Sequence, residues 1–72
     1  MPLPAADSDV PVQVVGFAQA GGLERRLAGM GLTLGCEVRV LQREGGNLVV
    51  GVGHVRLALG YGLAQKILVR PL

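Results

Sequence analysis

Residues 37–52 read EVRVLQREGGNLVVGV, and this stretch decides the fold. Apolar and polar side chains alternate with a period of two on both sides of residues 44–47, a short segment rich in glycine. Alternation of this kind is typical of half-buried β-strands, and glycine with asparagine between two such runs predicts a tight turn. We therefore expect an antiparallel β-hairpin.

The same alternation assigns the side chains of the hairpin to two faces. In the first strand we expect Val38 and Val40 to point inward. The outward face would then carry Glu37, Arg39, Leu41 and Arg43. In the second strand the inward positions are Leu48, Val50 and Val52, which leaves Val49 outward. Leu41 is then an outward apolar residue between two arginines, and the alternative is a β-bulge that turns it inward.

Upstream of the hairpin, apolar side chains recur with a helical period. Leu23, Leu27 and Met30 are spaced as i, i+4 and i+7, which predicts one apolar face of a two-turn helix. Gly31 follows directly, and a glycine in this place is typical of a left-handed helix end on which the next residue, Leu32, folds back. Gly35 is expected to supply a second positive φ before the hairpin.

The remaining segments complete a mainly β pattern. Residues 10–17 are rich in valine and predict a first strand, which residues 20–22 interrupt. After a tight turn at Gly53 and His54, residues 55–58 predict a fourth strand. The spacing of Leu59, Leu63 and Ile67 suits a helical turn, and residues 67–70 predict a last strand.

Taken together, these elements predict a single domain over residues 1–72. It is mainly β: a small five-stranded barrel with one short α-helix between strands 1 and 2 and a helical turn before the last strand. Closure into a barrel follows because five short strands would otherwise leave open edges. Residues 1–9 are polar and proline-rich and are expected to form an irregular lead-in with room for one helical turn.

Composition limits where such a protein works. The single cysteine excludes an intrachain disulfide, which in a domain of 72 residues favours a reducing compartment. The N-terminus lacks the basic flank and apolar core of a signal peptide, and no apolar stretch approaches the roughly 20 residues of a membrane helix. We expect a soluble, cytoplasmic protein without membrane insertion.

Two blocks of the sequence resemble the FeoA family of small ferrous-iron transport proteins. The first, LERRLAGMGLTLG from residue 23 to residue 35, is similar to the family pattern at Arg26-Leu27, Gly31-Leu32 and Gly35. The second, LALGYGLAQKILV from residue 57 to residue 69, is similar to it at Ala58-Leu59, Ala64 and Ile67-Leu68-Val69. Leu34 departs from the pattern, because many members of the family have a proline at this position, immediately before the glycine that is Gly35 here. This difference affects only the expected rigidity of the turn at Gly35.

The resemblance implies a fold and a partner that the periodicity does not reveal. The fold is an SH3-like barrel, and the function is that of an accessory or regulatory protein that binds the cytoplasmic region of FeoB, a membrane transporter with a GTPase domain. The barrel is also similar to the C-terminal domain of metal-dependent transcriptional repressors. The alternative is therefore a regulatory module of such a repressor, in which a DNA-binding domain would precede it.

Catalysis finds no support in the residues. A nucleotide site needs a glycine-rich loop that ends in Gly-Lys-Ser/Thr or opens a helix as G-x-G-x-x-G, and neither pattern occurs. The acids are scattered, and Cys36 with His54 lacks an orienting third group. We predict that the protein is not an enzyme.

Metal and nucleic-acid binding are also poorly supported. One histidine and one cysteine without ligand spacing predict no intrinsic cofactor, although His54 in an exposed turn could hold zinc or iron weakly. Residues 10–72 carry seven basic against three acidic residues, yet two aromatic residues cannot build a stacking platform for nucleic acid. Self-association is left open.

A protein partner is the remaining hypothesis. An apolar side chain flanked by arginines is typical of the centre of a contact surface. The predicted partner-binding residues are Arg25, Arg39, Leu41, Arg43 and Val49.

Overall fold

A computed structural model describes residues 1–18 and 21–72. After a 3-10 helix at Leu3–Ala5, the elements follow in the order β1 (Val12–Phe17), α1 (Leu23–Ala28), β2 (Glu37–Glu44), β3 (Asn47–Val52), β4 (Val55–Gly60), α2 (Tyr61–Ala64) and β5 (Ile67–Pro71). The fold class predicted from the sequence is confirmed: five short strands, one short helix after β1 and a helical turn before the last strand. Of the predicted break at residues 20–22, Ala20 lies outside the described residues.

The five strands form one antiparallel sheet in the order β4-β3-β2-β1-β5. Two-residue turns join β2 to β3 and β3 to β4, with Glu44 opposite Asn47 and Val52 opposite Val55. β4 continues to Gly60, so Leu59 lies in a strand opposite Leu48 and not in the predicted helical turn. α2 and the 3-10 helix lie between the two ends of the sheet, where they complete the enclosure of the core.

A β-bulge in β2 overturns one prediction about the hairpin. Val40 lies opposite Val50, but Gln42 lies opposite Val49, so the register shifts by one residue at Leu41. Beyond the bulge Arg43 lies opposite Leu48, a buried core residue. Because directly opposite residues share a face, the prediction that Arg43 shares a face with Glu37, Arg39 and Leu41 is wrong, although Arg43 remains an exposed residue.

The end of α1 has the predicted form. The amide of Leu32 donates to the carbonyl of Leu27 (2.9 Å), and the amide of Gly31 donates to that of Ala28 (3.0 Å). Gly31 has a φ of 93°, and Leu27 and Leu32 are both fully buried. This is a Schellman motif with its apolar contact, and it turns the chain from α1 towards the core. Gly35 has the predicted positive φ, 87°.

The N-terminal segment is built into the barrel and is not only a lead-in. Leu3 and Ala6 are fully buried members of the core. The backbone of Met1 pairs with Val69 of β5, and the amide of Asp9 donates to the carbonyl of Val40 in β2 (2.7 Å). Residues 1–9 therefore cover part of the core and pair with the backbone of β2 and β5.

Candidate functional site

Three neighbouring strands place two arginines on either side of a glycine. Arg39 of β2 lies opposite Gly51 of β3, and Gly51 lies opposite Arg56 of β4. Val38, Val40 and Val50, which flank Arg39 and Gly51 in sequence, are buried, and half-buried Val52 packs against the core. The row of Arg39, Gly51 and Arg56 therefore lies on the outer face of the sheet. A groove lined by both arginines and Gly51 runs along this row, and we call it the Arg39–Arg56 groove.

Leu41 forms one side of this groove. Its Cδ1 atom would lie 3.1 Å from a Cβ atom at Gly51, so the leucine occupies the space directly above the glycine. Leu41 is half-buried and remains on the outer face despite the bulge. The alternative in which a bulge turns Leu41 inward is therefore excluded: the bulge is present, and it lays Leu41 across Gly51.

The groove, of about 550 Å³, ends at the turn between β3 and β4. Glu37, Gly53, His54 and Val55 complete its lining. Arg39 lies 3.7 Å from a carboxylate oxygen of Asp9 and 3.8 Å from one of Glu37, both through largely exposed side chains. Arg56 forms no salt bridge within residues 1–18 and 21–72. Within the described residues, the groove thus combines the apolar side chain of Leu41 with two guanidinium groups, of which that of Arg39 is paired with acids and that of Arg56 is not.

The groove has few groups that could hold a metal ion. Across the described residues, no three His, Cys, Asp or Glu side chains come together as metal ligands would. His54 shares the groove with Glu37. Two candidate ligands are fewer than the three or four that a tight site requires.

The predicted partner-binding residues separate into three places. Arg39 and Leu41 lie in the Arg39–Arg56 groove, and half-buried Val49 lies beside it, opposite Gln42 and Ala58 on the same outer face. Arg43 instead donates hydrogen bonds to the carbonyl oxygens of Pro4 (2.8 Å) and Ala6. Arg25 lies on α1, in a different groove.

This second groove, of about 660 Å³, runs between β1 and α1. Its apolar residues include Val15 and Leu34, which are 48% and 53% exposed, and half-buried Phe17. Arg25 and Glu24 supply its charges. Ala18 and Gly21, which flank the undescribed residues 19 and 20 in sequence, also line this groove.

Sequence reasoning missed Arg56 and Gly51 as members of the site. Each strand taken alone shows only an arginine or a glycine among valines and leucines. The register between strands brings them together, and the two-residue turn at Gly53 and His54 is the signal that could have fixed it, since a turn of known length sets which residues lie opposite each other.

A five-stranded antiparallel domain of this size with two short helices is a small SH3-like domain protein. Within the described residues, no helix is long and apolar enough to cross a membrane. The chain belongs to the FeoA family, whose role is in ferrous-iron transport: the model of the FeoA domain matches residues 1–71. The resemblance seen in the two sequence blocks is thereby confirmed.

Individual relatives agree with this assignment. A protein of Methanocaldococcus jannaschii that carries the name Fe(2+) transport protein A is 33% identical over 48 residues, or 67% of this chain. The match spans 58% of that relative's length. A crystal structure of an iron uptake regulatory protein, FeoA, superposes with a TM-score of 0.88 at 35% identity and covers 100% of this chain and 96% of its own.

Two further solved structures are similar in fold to this chain. Stenotrophomonas maltophilia FeoA, an SH3 domain protein solved in complex with zinc, superposes with a TM-score of 0.76 at 30% identity over 97% of this chain and 89% of its own. A manganese-dependent transcriptional repressor contains the same fold: its TM-score is 0.87 at 28% identity, over 100% of this chain and 41% of that protein.

Proposed function

We propose that this protein is a non-enzymatic accessory protein of bacterial ferrous-iron uptake, and that it binds the cytoplasmic region of the GTPase transporter FeoB. The observation that carries the proposal is the FeoA match over residues 1–71, nearly the whole chain. A partner on the cytoplasmic side of the membrane places the protein in the cytoplasm.

The Arg39–Arg56 groove is the contact surface we assign to this partner. Two of the five residues predicted from the sequence, Arg39 and Leu41, lie in it. An apolar side chain in one groove with two arginines is a combination that anchors many protein interfaces, because arginine stems cover apolar surface while their heads pair with acids. The free guanidinium of Arg56 favours an acidic group on FeoB.

The test is a binding titration of the purified protein against the purified cytoplasmic region of FeoB. We expect Arg56→Glu to weaken binding by about tenfold or more, because it replaces an attraction with a repulsion of similar size. Arg70→Glu makes the same charge change at an exposed position of β5, at the far end of the sheet, and should leave binding nearly unchanged.

Two results would contradict the proposal at different levels. Binding that Arg56→Glu and Arg70→Glu weaken equally would remove the groove as the contact surface and leave the partner in place. No binding by the unaltered protein, together with normal ferrous-iron uptake in a deletion strain, would remove FeoB as the partner.

The manganese-dependent repressor that shares the fold supports one alternative, a regulatory module of a metal-dependent transcriptional repressor. In that role the groove would contact another part of the same repressor. The two functions predict different phenotypes: loss of the accessory protein lowers ferrous-iron uptake with unchanged transcript levels, whereas loss of a repressor module raises transcription of metal-responsive genes.

Metal binding at His54 is proposed only as weak surface coordination of zinc or ferrous iron, with Glu37 as the neighbouring oxygen ligand in the groove. The zinc complex of Stenotrophomonas maltophilia FeoA supports testing it. Anaerobic calorimetric titration with Fe²⁺, and aerobic titration with Zn²⁺, should detect binding no tighter than the millimolar range. The His54→Ala substitution should abolish this binding. A stoichiometric micromolar site would instead indicate an iron carrier.

A further inference from the structure

The two edge strands of the sheet, β5 and β4, differ in whether other backbone pairs with their outer side. At β5 the backbone of Met1 exchanges hydrogen bonds with Val69, and Pro2 forms a bridge with Leu68, so that edge is covered. At the other end, β4 pairs with β3 on one side only. Within residues 1–18 and 21–72, no further strand or bridge reaches the outer edge of β4.

The hairpin turn determines which groups of β4 point to this edge. Val52 and Val55 flank a two-residue turn and therefore form a hydrogen-bonded pair. Along β4 the hydrogen-bonding direction alternates, so Val55, Leu57 and Leu59 bond to β3, whereas the amides of Arg56, Ala58 and Gly60 point outward. Gly60 is the N-cap of α2, and the carbonyl of an N-cap residue accepts the first hydrogen bond of its helix. The carbonyls of Arg56 and Ala58 are therefore the outward acceptors.

The edge also lacks the usual protection against pairing. Proteins block open strand edges with charged residues, proline or bulges. β4 reads VRLALG, with one charge and no proline, and its register with β3 runs without a shift from Val55 to Gly60. A regular strand with free donors and acceptors is a template for another extended strand.

We propose that this edge pairs with the same edge of a second copy of this chain, antiparallel and about a two-fold axis at Ala58. In this register Ala58 lies opposite Ala58 of the second copy, and Arg56 lies opposite its Gly60. The amides of Ala58 and Gly60 then donate to the carbonyls of Ala58 and Arg56 across the interface. Symmetry doubles these two bonds to four.

The side chains are self-complementary in this register. Each Arg56 faces a glycine, so no like charges lie directly opposite each other, and the two alanines at the axis allow close approach. Val55 and Tyr61 mark the two ends of the strand and are 54% and 50% exposed. The antiparallel arrangement brings Val55 of each copy to the Tyr61 end of the other, where a β-branched and an aromatic side chain cover each other. A second copy therefore fits this edge better than an acidic peptide, for which one arginine offers little.

The test is sedimentation velocity over a micromolar to millimolar range of protein concentration, combined with amide hydrogen exchange. We expect reversible dimerisation and slower exchange at Ala58 and Gly60 as the concentration rises. Ala58→Lys places two positive charges opposite each other at the axis and should weaken dimerisation by about tenfold or more. Gln42→Lys adds the same charge to the same face two strands away and should leave the dimer intact.

Circular dichroism and a thermal melt are the controls that check whether both variants remain folded. A protein that stays monomeric up to millimolar concentration, with concentration-independent exchange at Ala58 and Gly60, would overturn the proposal. So would a dimer that Ala58→Lys and Gln42→Lys affect equally, because it would use another surface. FeoB binding is measured separately and can persist in Ala58→Lys, so this test is independent of the proposed function.

Discussion

The guanidinium of Arg43 donates a hydrogen bond of 2.8 Å to the carbonyl oxygen of Pro4, which lies 39 positions earlier in the chain. A second nitrogen of the same group donates to the carbonyl of Ala6. One arginine thus holds the middle of the 3-10 helix and the residue that follows its C-terminal end. The bulge at Leu41 is what makes this contact available, because it moves Arg43 to the inner side of β2.

Replacing this arginine should destabilise the N-terminal segment. We expect Arg43→Met to lower the free energy of unfolding by about 1–2 kcal/mol, since two charge-assisted bonds to backbone carbonyls are lost while the apolar stem is kept. Urea denaturation gives the free energy, and faster amide exchange at residues 5 and 6 would locate the effect. Arg39→Met is the control: its long ion pairs should be worth less than about 0.5 kcal/mol. Equal losses in the two variants would contradict the assigned contact.

The N-terminal segment should also be necessary for the core. Leu3 is fully buried, so Leu3→Ala should cost about 2–4 kcal/mol through lost burial and the cavity left behind. Leu34→Ala makes the same change at a side chain that is 53% exposed and should cost less than about 0.5 kcal/mol. Thermal and urea unfolding measure both variants. A Leu3→Ala protein as stable as the unaltered one would show that residues 1–9 are dispensable for packing.

Two glycines are expected to respond in opposite directions to alanine. At Gly31, φ is 93° and the nearest atom to an added Cβ is Val52 Cγ1 at 3.9 Å, so the backbone conformation alone should cost about 1 kcal/mol. At Gly62, in α2, an added Cβ meets nothing within 4 Å and φ is not positive. Gly62→Ala should therefore stabilise by about 0.5 kcal/mol, because alanine loses less conformational entropy in a helix. Urea denaturation measures both changes in the free energy of unfolding. If both substitutions stabilised the protein, or both destabilised it, this explanation would be wrong.

Gly51 offers a test that separates binding from stability. In Gly51→Ala the new Cβ would lie 3.1 Å from Leu41 Cδ1, the far end of a half-buried side chain that can move by a few tenths of an ångström. We expect the free energy of unfolding to change by less than about 0.5 kcal/mol. Affinity for FeoB should fall by about fivefold, or ~1 kcal/mol, because the displaced Leu41 side chain changes the shape of the groove. Unchanged affinity would mean that the partner does not enter the groove.

Local patterns in the sequence were sufficient for most of the fold. Alternation located the β2–β3 hairpin, and the helical spacing before Gly31 located α1 together with its C-terminal motif. These features depend on residues a few positions apart, where backbone geometry and glycine conformation dominate. The same locality explains why Leu59 was misplaced: its spacing from Leu63 fits a helix, and only its pairing with Leu48 shows that β4 extends past it.

The candidate site depended much more on tertiary structure. The sequence placed Arg39 and Leu41 correctly on an outer face but assigned Arg43 to it as well, since strict alternation contains no information about a bulge. A bulge is stabilised by contacts on both sides of the strand, here Leu41 across Gly51 and Arg43 against Pro4. Those partners are distant in the chain.

By itself, the sequence determined the mainly β fold and the helix end at Gly31, because short-range periodicity and turn residues specify them. It also determined the membership of the FeoA family, through its similarity to the family pattern over nearly the whole chain. Only the tertiary structure decided that Arg56 joins Arg39 across Gly51, that Leu3 and Ala6 belong to the core, and that the edge of β4 is left unpaired within the described chain. The physical reason is that strand register and edge coverage are relations between segments. They are set when the barrel packs, and no local pattern records them.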